Sequence, residues 1–243
     1  MGSGLYGDWI QRELDSRHVQ TPVPRPAEPN GCCYCLVESG GERTFMSLHG
    51  AEYRFRSEWF DLLGDEVFDG VYLCGLEVEE ETGEVILDYL EKHPPKTLYF
   101  APGPRVVRIR PEKMARIMAL HPVLHLNEAE ALMFTRSPSA QEAAVLIGSL
   151  TGSPVIITQG ERGALALENG RCLQVDGYRA QPADTIGAGD AHIGAVMAEL
   201  AAGRSMEEAV RRANLLSACV VSVPGATVSR DAWNTWRMTE GQE

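Results

Sequence analysis

Apolar positions along the chain change their period several times, and each change predicts an element. Residues 6–18 carry Trp9, Ile10 and Leu14 at the spacing of one buried helical face. Pro22, Pro24, Pro26 and Pro29 then impose extended or loop backbone, because proline lacks an amide hydrogen and fixes φ. Residues 31–37 and 43–48 flank Gly40 and Gly41 and predict a β-hairpin; residues 53–63 read as helix. From residue 70 the pattern becomes rhythmic. Short apolar runs at 70–74, 97–100, 123–126 and 154–158 alternate with helix-period stretches at 83–93, 112–120, 129–134 and 140–150. Such alternation predicts βαβ units, hence a mostly parallel sheet with right-handed crossovers. A second hairpin follows at 163–167 and 172–175, joined by Glu168-Asn169-Gly170-Arg171, and two long helices come next at 189–202 and 206–221. No repeat, low-complexity tract or linker interrupts the series. The expectation is one α/β domain over residues 1–243 with an early hairpin at about 31–48.

Composition narrows the partners. The chain has 243 residues, 44% hydrophobic and 23% charged, which suffices for a full core. Its 22 basic and 34 acidic residues leave a formal charge of −12, and so acidic a surface disfavours nucleic acid or an anionic membrane as partner. No apolar run approaches the length of a membrane span. Six cysteines are too few for a disulfide scaffold, so a cytoplasmic location is expected. Cys32, Cys33 and Cys35 lack a partner at zinc spacing and read as alternating strand residues; Cys74, Cys172 and Cys219 sit in apolar runs and read as core. The six histidines are scattered and form no ligand cluster.

The sharpest chemistry lies in Asp184-Thr185-Ile186-Gly187-Ala188-Gly189-Asp190, between a strand-rich region and a helix. A Gly-Ala-Gly turn at a helix entrance leaves backbone N–H groups unpaired, with the positive end of the helix dipole behind them. That suits a phosphoryl group, and small residues let the backbone approach closely. An aspartate ending the turn is placed to accept a proton from an alcohol, so charge stabilisation and a base occur within four residues. The same residues also suit a glycine-rich turn with Asp190 as a helix cap.

In context this stretch, DTIGAGDAHIGAVMAEL, resembles the D-T-x-G-A-G-D signature of the ribokinase-like (PfkB) family of carbohydrate and nucleoside kinases. The resemblance implies a three-layer α/β/α sandwich with a mostly parallel central sheet and a small β lid. It implies Asp190 as catalytic base and the backbone of Gly187, Ala188 and Gly189 as anion hole. His192 departs from the family, which usually has phenylalanine there, and is expected to alter packing near the sugar. Three further segments agree in order. Asn127-Glu128-Ala129-Glu130 matches N-x-x-E, implying that Asn127 and Glu130 organise Mg²⁺ and the ATP phosphates; residues 155–163 match the loop T-x-G-x-x-G, placing Thr158 and Gly160 near ATP. Ala213-Asn214 through Pro224-Gly225-Ala226 resembles the adenine-side helix and its closing loop, with Asn214 and Gly225 as nucleotide contacts. The resemblance also suggests a monovalent-cation (K⁺) site built from Asp184, the carbonyls of Ile186, Val220, Val223 and Gly225, and the Ser229 hydroxyl.

On the substrate side, the hairpin with Gly41-Glu42-Arg43-Thr44-Phe45 resembles the family's lid, which closes over the sugar or pairs two copies as a homodimer. Glu77 stands where some sugar kinases contact substrate, or is a solvated charge in the run 77–81. Phe100-Ala101-Pro102-Gly103-Pro104-Arg105 resembles a D/N-P-x-x-R turn, with Ala101 replacing the polar residue. The family's first strand with its substrate-binding Asp and its Gly-Gly-x-x-x-Asn signature have no counterpart, and the resemblance begins at Tyr6-Gly7-Asp8. The implied activity is ATP-dependent phosphoryl transfer to a hydroxyl of a sugar, sugar acid or nucleoside; the alternative is a non-catalytic nucleotide-binding or regulatory protein on a kinase fold. A dinucleotide-binding Rossmann enzyme is disfavoured, because the glycine-rich turn comes late in the series rather than after a first strand.

Overall fold

The computed structural model describes residues 1–37 and 43–239. The chain forms two compact units: residues 1–67 with 76–93, and residues 68–75 with 94–243. In the first unit, α1 (Gly4–Ser16) buries Gly7 and half-buries Ile10 and Leu14, while Trp9 is exposed. The expected Trp9 stripe is therefore shifted onto Gly7, Ile10 and Leu14, an i, i+3, i+7 series. A Cβ on Gly7 would lie 2.1 Å from the Gly2 carbonyl oxygen, so that face admits bare backbone and no indole. The strands β1 (Cys32–Val37) and β2 (Arg43–Leu48) pair antiparallel, Cys32 opposite Leu48. Their turn, with Gly40, Gly41 and Glu42, lies outside the described residues. At the open end, the Glu52 carboxylate accepts from the backbone N–H groups of Gly31 and Gly50. The helix expected at 53–63 is a 3₁₀ turn, Ala51–Tyr53, and a short α2 (Ser57–Asp61). Phe55 N–H donates to Thr82 Oγ1 and Arg56 is extended, which breaks the helix between them. Two helices complete this stretch, α3 (Gly75–Glu79), which hydrophobic patterning missed, and α4 (Gly83–Lys92).

The second unit is a six-stranded sheet in the order β3 (Gly70–Cys74), β4 (Thr97–Ala101), β5 (Val123–Asn127), β6 (Val155–Thr158), β7 (Ala164–Glu168), β8 (Arg171–Val175). The first four strands are parallel; β7 and β8 return antiparallel. Asn169 and Gly170 form their two-residue turn, both at positive φ (51° and 75°), which is the backbone twist a tight hairpin requires. Between strands run α5 (Pro111–Ala119), α6 (Glu128–Thr135) and α7 (Ala140–Thr151). After the sheet come α8 (Ala188–Ala201), α9 (Met206–Val221) and α10 (Arg230–Thr239), the last unforeseen. Strand residues alternate between faces. Tyr99, Val123, Ile156, Ala164, Ala166 and Val175 pack with Ile193 and Val196 of α8 and Met206, Val210 and Ala213 of α9. On the other face Leu167 lies against Gly148 of α7 so closely that a Cβ there would be 2.4 Å away. Each buried aliphatic side chain contributes roughly 1.5–3 kcal/mol. Asn127, Ser139 and Ser205 cap α6, α7 and α9 through their side chains, each cap stabilising by about 1 kcal/mol. No helix among the described residues is long and apolar enough to cross a membrane.

One polar line crosses the apolar α8–α9 face. His125 Nε2 lies 3.0 Å from His192 Nδ1, and His192 Nε2 lies 3.0 Å from Asn214 Oδ1. Two of the histidines that look scattered along the chain are thus neighbours in the core. Burial disfavours a charged ring, so His125 is held well below the ordinary histidine pKa, with His192 adding to the effect. Burial likewise lowers His192 to about 4, against the opposing hydrogen bond that His192 donates to Asn214 Oδ1. A folded value below the unfolded one means that the unfolded chain binds the extra proton between pH 6.5 and about 4. The stability His192 leaves intact above that window is therefore lost as pH falls through it, by about 3 kcal/mol in all. Urea unfolding of His192→Phe should show an acid limb shallower than wild type by an amount of that order; equal slopes would contradict the assignment.

Candidate active site

The chain enters α8 through a turn anchored at both ends. Asp184 Oδ1 accepts from Ile186 N–H at 3.0 Å and Oδ2 accepts from Gly225 N–H at 3.2 Å. The N–H groups of Ala183 and Asp184 both donate to the Val221 carbonyl at the end of α9. Gly187, the N-cap, sits at φ 81°, a left-handed conformation that penalises a side chain. A Cβ there would also lie 2.6 Å from the Ala226 carbonyl oxygen. Unlike α6, α7 and α9, α8 receives no side-chain cap. Of its first-turn N–H groups, that of Ala188 lies 3.5 Å from the Thr185 carbonyl oxygen, and those of Gly189 and Asp190 have no acceptor among the described residues. Asp190 is the third residue of α8, exposed, and engaged by no ion pair or hydrogen bond among the described residues. Its role as a cap does not appear in the structure.

Beside this entrance is a cavity of about 330 Å³. Thr158, Gly160 and Gly163 form one side, Thr185, Ala188 and Gly189 another, and Gly177, Tyr178, Asn214 and Ser217 close it. Gly163 is required where it stands: φ is 86° and a Cβ would lie 2.1 Å from the Val175 carbonyl oxygen. Ser217 Oγ donates to the Ala188 carbonyl at 3.0 Å, tying α9 to the first residue of α8. No lysine or arginine lines the cavity, so an anion there meets backbone amides and a helix end.

Asn127 pairs in register with Thr158, which sets the N-x-x-E segment beside the Thr-x-Gly loop. Asn127 Oδ1 accepts from Glu130 N–H at 2.8 Å, and Glu130 Oε2 accepts from Asn127 N–H at 2.9 Å. Burial raises the Glu130 pKa, opposed by the bond from Asn127. Glu128 receives Gln159 Nε2 at 2.8 Å and the Arg162 guanidinium, while Gln159 Oε1 is buried without a partner among the described residues.

The sequence-predicted residues fall into place unevenly. Thr158, Gly160, Ala188, Gly189 and Asn214 share the cavity wall. Asn214 reaches it with its amide already committed, Nδ2 donating to the carbonyls of Val175 and Asp176 at 3.1 Å each. Asp184, Ile186 and Gly225 are joined directly, whereas Ser229 Oγ accepts from Ala232 N–H at the start of α10. Val220 is buried, and its carbonyl accepts from Val223 N–H at 3.3 Å. Glu77 is half-buried in α3, in a separate part of the chain from these residues. His192 lies in the cavity wall, joined to Asn214. Glu161 lines the cavity from within the matched loop 155–163, whereas Tyr178 and Ser217 were not foreseen; residues 176–183 have no periodicity to mark Tyr178. Among the described residues no group of three or more His, Cys, Asp or Glu side chains is set to hold a metal ion.

Comparison with known proteins fits this geometry. The profile of pfkB family carbohydrate kinases matches residues 1–233. The chain is 30% identical over 229 residues to the uncharacterized sugar kinase YegV of Escherichia coli (strain K12), covering 93% of this chain and 71% of that protein. Ribokinase from Thermotoga maritima matches with a TM-score of 0.82 at 20% identity, over 98% of this chain and 80% of that one. Aminoimidazole riboside kinase from Salmonella enterica, solved with aminoimidazole riboside and an ATP analogue, matches with a TM-score of 0.79 at 20% identity, over 97% and 83%. The structural likenesses show a ribokinase-like α/β fold, with the six-stranded, mostly parallel sheet at its centre and the small antiparallel sheet as its lid. With the profile spanning nearly the whole sequence, the chain belongs to the pfkB family of carbohydrate kinases.

Proposed function

We propose that residues 1–243 act as one kinase domain, transferring the γ-phosphoryl group of ATP to a hydroxyl of a sugar, sugar acid or nucleoside. The observation that carries this reading is the uncapped α8 entrance with exposed Asp190 in its first turn, beside a cavity that holds no cationic side chain. Asp190 accepts the proton of the attacking hydroxyl. The amides of Gly187, Ala188 and Gly189 receive the charge on the transferring phosphoryl, and the helix dipole reinforces them. Thr158 and Gly160 line the phosphates, and Asn214 and Gly225 shape the adenine side. The aminoimidazole riboside kinase solved with an ATP analogue supports the nucleotide assignment.

Glu130 keeps Oε1 outside the capping box, and Asn127 Oδ1, its one side-chain oxygen, keeps a second lone pair, which suits Mg²⁺ that retains its waters and the nucleotide's own oxygens. When bound, the ion supplies neutralisation of phosphate charge. A monovalent cation at Asp184, Ile186, Val220, Val223, Gly225 and Ser229 would add to a tie that Asp184 already makes by hydrogen bonding. The lid strands expose Tyr34, Leu36, Val37, Phe45, Met46 and Leu48, which supports pairing of two copies through this sheet.

Asp190→Asn should bind MgATP as wild type does and lose turnover by roughly 10²–10⁴-fold on any sugar the wild type phosphorylates. Calorimetry and a coupled ADP assay read the two quantities; normal turnover in this variant removes Asp190 as base, and MgATP binding by wild type without turnover on any sugar favours a nucleotide-binding protein. Gly187→Ala forces a side chain into left-handed backbone and onto Ala226, and should cost about 1–3 kcal/mol of stability together with most of the turnover. Wild-type behaviour in both urea unfolding and the kinase assay would show that the turn is not fixed as described.

A further inference from the structure

Asn214 is 6% exposed, and every polar atom of its amide is in use. Nδ2 gives one hydrogen to Val175 O and one to Asp176 O, which leaves Oδ1 facing His192 Nε2. An amide oxygen only accepts, so His192 Nε2 carries the ring hydrogen. His192 Nδ1 is then the acceptor for His125 Nε2–H. Every bond direction follows from the two carbonyls at the start: His125 donates to His192, His192 to Asn214, and Asn214 to the exit of β8. Four elements, β5, α8, α9 and β8, are held by one chain of bonds.

Its attachment points matter. Val175 and Asp176 lead directly into Gly177 and Tyr178, which line the same cavity as Gly189. His192 follows Asp190 by two residues and lines the same cavity. Building on the reading of that cavity as the nucleotide site, we propose that His192 is a positioning residue for the nucleotide: through Asn214 it holds the β8 exit, with Gly177 and Tyr178, at the distance from α8 that the bound nucleotide requires. Phenylalanine fills a similar volume but offers Asn214 Oδ1 no hydrogen. The amide then has no fixed orientation, and the β8 exit loses its tether.

The test is the affinity of the full chain for MgADP, measured by calorimetry at neutral pH well below the unfolding temperature. His192→Phe should weaken binding by about 10-fold or more. His192→Gln, whose Nε2 takes the place of the ring Nε2, keeps the bond to Asn214 and should remain within about threefold of wild type. His192→Asn reaches His125 but not Asn214, and should weaken binding as phenylalanine does. A Phe variant that binds as wild type, or Gln and Asn variants that weaken equally as a general loss of core packing would cause, overturns the inference. Should the Phe variant not fold, the contrast between Gln and Asn decides. Wild type that binds no MgADP sinks the nucleotide-site reading and this inference with it, whereas wild-type binding that none of the variants alters sinks this inference alone.

Discussion

The glycine-rich turn into α8 is tied by one carboxylate. Asp184 accepts from backbone amides on both sides of the α8 entrance, Ile186 at 3.0 Å and Gly225 at 3.2 Å. Bonds to an ionised oxygen are stronger than neutral ones. Here they hold a glycine at φ 81° against the loop of Ala226, a conformation the local sequence would not keep unaided. The same segment hangs from the Val221 carbonyl through two further N–H groups. The N-terminus of α8 is thus fixed to the C-terminal end of α9. Preorganisation of this kind is what lets backbone dipoles stabilise developing charge without rearranging during the reaction.

That arrangement also answers a problem set by charge. The formal charge is −12, and of the 22 basic residues only Lys92, Lys96 and Lys113 are lysines. Lys96 is paired with Asp69 and Lys113 is buried, and the cavity lining holds neither lysine nor arginine. On the proposed reading of this cavity, phosphate is received by amides, a helix dipole and small residues. It also explains the density of glycine around the cavity, where Gly160, Gly163, Gly177 and Gly189 bring bare backbone to the surface.

Most of the second unit was legible from pattern alone. The strand at Val155–Thr158 and the helix at Met206–Val221 follow apolar periodicity almost residue for residue, because periodicity reports burial; Gly70–Cys74 stands out as an apolar run although only Leu73 in it is fully buried. Elements with little buried apolar surface were harder to read. α3 is five residues long with two glutamates and α10 is mostly polar, and the span 53–63 is interrupted by Thr82, a residue far away in sequence. The phosphate turn was visible because its chemistry is local to seven residues. The line from His125 to Asn214 was not, since its members are 67 and 22 positions apart and each alone is an ordinary polar residue in an apolar stretch. Tyr178 and Ser217 reach the cavity through tertiary placement and carry no sequence signal.

The tie made by Asp184 is tested most directly by the turnover of Asp184→Asn, on whichever sugar of a panel the wild type phosphorylates. Asparagine keeps the shape and one acceptor, but its amide nitrogen would face the N–H of Ile186 or Gly225, so one anchor becomes a donor–donor contact. The turn should then lose its fixed form, and kcat should fall by about 100-fold or more, the effect expected when preorganised oxyanion donors are displaced. A kcat equal to that of wild type would show that the turn holds its shape without Asp184, and would contradict the account.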